Sequence, residues 1–85
     1  MAHVSLNSDW YWFFVYVPVL QKEWRVTVAE GITFDKLDHF FSERYSILAT
    51  FCPLYFYDSN HQVYLDPSLT PAEMTLPAAT LLYLI

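Results

Sequence analysis

Residues 11–28 read YWFFVYVPVLQKEWRVTV, and this stretch decides the fold. Tyr11 to Val19 is dense in aromatic and β-branched residues, the composition of a buried strand. Pro18 bends its end, because proline cannot donate to a sheet ladder. Leu20-Gln21-Lys22 reads as a turn. Glu23 to Val28 then alternates, with Trp24, Val26 and Val28 on one face and Arg25 and Thr27 on the other. Two such runs joined by a short polar link predict an antiparallel hairpin. The apolar run Trp10–Leu20 spans only 11 residues and is followed by charges. It is too short to cross a bilayer.

Outward from the hairpin, Met1 to Asp9 is polar and unpatterned and reads as a poorly ordered lead-in. Downstream, Ala29-Glu30-Gly31 breaks the strand pattern with the only glycine. Thr33 is a good helix N-cap, and Asp35 and Asp38 suit the positive end of the helix dipole. Phe34, Leu37, Phe40, Phe41 and Tyr45 recur at helical spacing as one buried stripe, with Asp38, Ser42, Glu43 and Arg44 on the other side. The helix is expected to end near Tyr45 or Ile47, and Cys52-Pro53 forces an extended exit. Leu54 to Tyr57 and Gln62 to Leu65 read as short strands around a turn at Asp58-Ser59-Asn60-His61. Thr70-Pro71-Ala72-Glu73 is a capping box, with Pro77 allowing one helical turn at most. Leu81 to Ile85 reads as a closing strand. The expected class is α+β, in the order β-β-α-β-β-(short helix)-β, with one helix packed across a mixed sheet.

Composition narrows the functions. Eighty-five residues make one small domain. A hydrophobic content of 55% with 15% charged residues excludes intrinsic disorder. Three Trp, seven Tyr and seven Phe are more aromatic volume than one small core can hide. A single cysteine excludes an internal disulfide and a multi-cysteine zinc site. The net charge of −5 argues against binding a phosphate backbone, so no nucleic-acid partner is expected. With no targeting signal and no membrane-spanning run, the expectation is a soluble, cytoplasmic protein without a membrane partner.

The element order is that of the ubiquitin-like β-grasp, and the resemblance extends to residue types. Ubiquitin can be laid on Trp12 to Tyr45 without a gap. Thr33 then falls on the helix-capping threonine, Phe34, Leu37 and Phe41 on inward helical positions, and Trp24, Val26 and Val28 on inward strand positions. Ser68-Leu69-Thr70 and Met74 resemble the family's one-turn helix, and Leu81 to Ile85 its last strand. The resemblance implies a ubiquitin-like domain over residues 12–85, preceded by an extension over residues 1–11. Conjugating members of the family end in a flexible Gly-Gly tail. This chain stops at Ile85 with no Gly-Gly anywhere, so a non-conjugating member is expected.

Residues that carry chemistry are sparse. No two of His3, His39 and His61 have a helical ligand spacing. Asp35 and Asp38 read as helix N-terminal charges rather than an acid–base pair. Cys52 has no activating neighbour in sequence and reads as a buried, inert thiol. One glycine leaves no room for a P-loop, a nucleophile elbow or a dinucleotide turn. Neither an enzyme nor a cofactor or metal site is expected.

The surplus aromatics therefore point to a partner protein or a homodimer. If Trp12, Phe14 and Tyr16 face the helix, then Phe13, Val15 and Val17 face away. The resembling fold sets the first strand beside the last and the last beside the third. Leu82, Leu84, Tyr55 and Tyr57 then join those three as a partner-binding outer face, with Tyr55, Tyr57 and Phe13 as anchors. The function expected is a non-conjugating ubiquitin-like interaction module or accessory subunit. One alternative is a small acidic inhibitor of a protein or nucleic-acid-binding complex, of phage anti-defence type, using the acidic residues from Glu30 to Glu43. Another is a ubiquitin-like modifier whose mature tail is absent from this chain.

Overall fold

Both halves of the expected hairpin form strands, and part of the segment before them pairs as well. The computed structural model describes the backbone of residues 2–6 and the whole of residues 11–51 and 53–85. Its strands are β1 (Ala2–Leu6), β2 (Tyr11–Val17), β3 (Lys22–Val28), β4 (Phe56–Asp58), β5 (Val63–Tyr64) and β6 (Leu81–Leu84). Helix α1 (Phe34–Arg44) and a 3-10 helix (Ser46–Phe51) connect β3 to β4. The six strands form one mixed sheet in the order β1-β3-β2-β6-β4-β5. β1 runs parallel to β3 and β2 parallel to β6, while the other pairs are antiparallel. The fold is α+β with one main helix. Ala2–Leu6 is thus an edge strand rather than a poorly ordered lead-in. Among the described residues, no helix is long and apolar enough to cross a membrane. The expectation of an inert Cys52 falls outside the described residues.

The turn of the hairpin differs from the expected one, with large consequences. Val17 lies opposite Lys22, so four residues, Pro18 to Gln21, close it. The Leu20 N–H donates to the Val17 carbonyl at 3.0 Å, and the Gln21 N–H to the Pro18 carbonyl at 3.0 Å. Proline, with its fixed φ, suits the first central position of such a turn. Gln21 takes a φ of 51° to re-enter the ladder. A turn at Leu20-Gln21-Lys22 would have left a three-residue loop. One more loop residue changes the parity of every cross-strand pair and exchanges the two faces of β2.

With the four-residue loop, Trp24 lies opposite Val15 and Val26 opposite Phe13. The inward face of β3 is as expected, with Trp24, Val26 and Val28 buried. It is therefore Phe13, Val15 and Val17 that join it beneath the helix, each no more than 1% exposed. Trp12, Phe14 and Tyr16 point the other way. Val15 pairs with Leu82 in β6, and Leu84 with Phe56 in β4, so Leu82 and Leu84 are core residues too. The expectation that these five face outward is corrected.

Helix α1 supplies Phe34, Leu37 and Phe41 to the core, and the 3-10 helix supplies Leu48. The Thr33 hydroxyl caps α1 by accepting from the Lys36 N–H at 3.2 Å. The next open donors of that helix are satisfied by the loop before the capping box: the Phe34 N–H donates to the Leu69 carbonyl at 3.0 Å and the Asp35 N–H to the Pro67 carbonyl at 2.8 Å. The capping box is reciprocal, with Thr70 N–H to Glu73 and Glu73 N–H to the Thr70 hydroxyl, both at 3.1 Å. Its single turn ends at Thr75, whose φ is 49°.

This register predicts that Val15→Lys and Leu37→Asp both abolish the cooperative thermal transition in circular dichroism. Each places an unpaired charge in the core, at a cost of several kcal/mol in a domain with roughly 5–15 kcal/mol to lose. A cooperative Val15→Lys protein would reinstate the opposite register.

Candidate interaction surface

Alternation along the strands sends a second set of large side chains to the sheet face opposite α1. Glu23, Tyr16, Tyr83, Tyr57 and Tyr64 are successive cross-strand neighbours over β3, β2, β6, β4 and β5. Four tyrosines thus form one row. Tyr16 and Tyr83 meet edge to face at 5.8 Å, and Tyr57 and Tyr64 at 5.0 Å. Tyr55 extends the group, 6.4 Å from Tyr64 and 43% exposed, and Tyr64 itself is 55% exposed. A parallel row runs Arg25, Phe14, Leu81, and beyond it Thr27 faces Trp12. The Arg25 guanidinium lies 4.5 Å from the Trp12 ring, which meets Phe14 edge-on at 5.7 Å. Edge-to-face rings and a stacked guanidinium each add about 0.5–1.5 kcal/mol and hold the platform in one arrangement.

Of the seven residues expected at the partner face, this surface holds Tyr55 and Tyr57. Phe13, Val15, Val17, Leu82 and Leu84 lie on the opposite side of the sheet. The residues missed are Trp12, Phe14, Tyr16, Arg25, Tyr64, Leu81 and Tyr83. A signal for them exists in β2, where the odd positions carry Phe13, Val15 and Val17, and the even ones Trp12, Phe14 and Tyr16. Valine is among the residues most often fully buried, whereas Trp and Tyr carry a polar tip that seeks water or a partner.

Among the described residues, other chemistry-bearing groups form no comparable constellation. His39 is exposed and pairs with Glu43 at 2.9 Å. His61 is more specifically placed. Its Nδ1 lies 2.6 Å from the carboxylate of Asp58, which is 2% exposed and also accepts from the Asn60 N–H at 3.0 Å. These bonds satisfy a buried carboxylate and close the β4–β5 turn. A cleft of about 380 Å3 beside them is walled mainly by Val63, Leu65, Met74, Leu76 and Pro77. Among the described residues, no group of three or more His, Cys, Asp or Glu could hold a metal ion. No family model matches the chain, and no curated protein is significantly similar to it.

Helix α1 carries one electrostatic cost. Asp38 borders a cavity of about 240 Å3 with Phe34, Leu54 and Phe56, and its Oδ1 is buried without a hydrogen-bond partner. Burial, and secondarily the neighbouring Asp35, raise its carboxyl above the ordinary carboxylate range. A raised folded-state pKa means that the folded protein holds the proton more tightly than the unfolded chain. Stability from this group therefore rises as the pH falls through its titration. Asp66 is opposite in sign: the backbone and hydroxyl of Ser68 donate to it and lower it, so its contribution is lost only in stronger acid. Accordingly, Asp38→Asn should melt higher than the parent at pH 7, and the difference should shrink as the pH falls and close below the ordinary carboxylate value of about 3.9. A lower melting temperature at pH 7 would contradict this origin.

Proposed function

We propose that the chain is a ubiquitin-like β-grasp module whose work is to dock a protein partner on the outer face of its sheet. For the fold, the support is the strand order: β2 lies beside β6 and β6 beside β4, with the one long helix between β3 and β4. β1 adds an edge strand that the resemblance does not supply. For the function, the observation that carries the reading is the row Tyr16, Tyr83, Tyr57 and Tyr64 flanked by Trp12, Phe14 and Tyr55. A sheet face left to water normally alternates to polar residues. Partly exposed aromatic side chains packed on one another are instead the composition of an interface centre. The acidic residues Asp35, Asp38 and Glu43 ride on α1, away from these rows, so the docking surface is aromatic rather than acidic.

The test is photo-crosslinking in the cells that make the protein, with the crosslinker at Tyr57, Tyr83 or, as a control on the helix side, Lys36. Tyr57 and Tyr83 should trap one discrete protein species and Lys36 none. Crosslinks from Lys36 alone would reject the reading. Tyr57→Ser should weaken that association about 30-fold, the effect of losing a hot spot worth about 2 kcal/mol. Its melting temperature should shift by no more than a few degrees.

A further inference from the structure

We propose that the occupant of the outer face is a second copy of this chain, related by a two-fold axis running across the strands between the tyrosine row and the Phe14 row. The proposal rests on reading that face as the docking surface, and it names the partner. Two observations carry it.

The first is charge. Among the described side chains, the two rows hold one of each sign, Glu23 beside Tyr16 in the tyrosine row and Arg25 beside Phe14 in the next. They sit two residues apart on β3, about 7 Å along the strand. A two-fold axis level with Trp24 lays β3 over its antiparallel copy. Glu23 of each protomer then meets Arg25 of the other, and both charges on the face are neutralised at once. The same operation sets Tyr16 and Tyr83 of one protomer against Phe14 and Leu81 of its partner. A closed, self-complementary contact of this kind is what two-fold symmetry requires.

The second is size. From β3 to β5 across the strands, and from the level of Trp12 to that of Tyr55 along them, the platform is centred on this axis and spans roughly 19 by 20 Å between backbone centres. With side-chain overhang, it offers on the order of 500 Å2 per copy. The pair then buries about 1,000 Å2, the lower bound for a specific interface. Two sheets stacked about 10 Å apart interdigitate side chains of this size. The dimer is accordingly at the small end of specific interfaces.

Analytical ultracentrifugation of the full chain from about 1 to 200 µM tests this. The mass should rise from that of a 10.0 kDa monomer to twice that value. Glu23→Arg and Arg25→Glu should each move the midpoint at least tenfold upward, because each leaves like charges facing across the axis. Mixed in equal amounts, the two variants should recover the dimer as a heterodimer. Tyr83→Lys, which leaves the core untouched, should give a monomer with an unchanged fold by circular dichroism and serves if a β3 variant fails to fold. A wild-type monomer at 200 µM, a dimer indifferent to all three substitutions, or a mixture that stays monomeric would each overturn the proposal. A wild-type monomer whose Tyr57 or Tyr83 nonetheless crosslinks to a different protein would reject the second copy and leave the docking reading standing.

Discussion

The Leu20 N–H bonded to the Val17 carbonyl, in a turn begun by Pro18, fixes more of this molecule than its local energy suggests. It sets Val17 opposite Lys22, hence Val15 opposite Trp24. The parallel pairing of β2 with β6 passes the same parity to Leu82, and the antiparallel pairing of β6 with β4 passes it to Phe56. Every inward position on the described inner strands follows from one loop length. The reverse parity would thrust Trp12, Phe14 and Tyr16 under α1 and leave Val15 and Val17 in water. That arrangement overpacks the space beneath Phe34 and Phe41 and takes the Tyr16 hydroxyl away from water.

The same parity resolves the excess of aromatic residues. Phe13, Phe34, Phe41, Phe56 and Trp24 fill the core, and no tyrosine is among the buried residues. Five of the seven tyrosines, at 16, 55, 57, 64 and 83, lie instead on the outer face. The hydroxyl accounts for the sorting. A buried phenol needs a hydrogen-bond partner, and a core of Phe, Val and Leu provides none. Tyrosine at the surface keeps its hydroxyl wet while its ring packs edge to face on the next ring, as Tyr57 does on Tyr64.

Local features were legible in the sequence because local chemistry determines them. Thr33, the Phe34-Leu37-Phe41 stripe and the Thr70–Glu73 box each depend on residues within a turn or two. The face of β2 is only weakly marked by its own residues: YWFFVYV is apolar on both sides, Val15 and Val17 favour the inner one, and the turn length decides. Pro18 was the available clue, read as a strand bend when its fixed φ fits the first central position of a turn. β1 was illegible for a different reason. A parallel edge strand is recruited by a distant partner, and the alternation of Ala2, Val4 and Leu6 with His3 and Ser5 is too short to announce it alone. Asp58 reads from the sequence as the first turn residue, but it is the last residue of β4, and the register that buries it opposite Leu82 is a tertiary fact.

The geometry of the sheet also determines where recognition can occur. Its inner face is covered by α1 and the 3-10 helix, whose residues belong to the core. One end of the strand order is β1, bound in parallel to β3, and the other is β5, only two residues long. Strand addition needs a long exposed edge, and a two-residue edge offers a partner few backbone hydrogen bonds. At the β5 end, among the described residues, side-chain contacts on the outer face are therefore the larger resource. In the proposed docking role the edge-to-face rings would reduce the entropy lost on binding, because Tyr16 against Tyr83 and Trp12 between Arg25 and Phe14 are already held in place. A platform ordered by its own contacts can bind through little more than shape and two opposite charges.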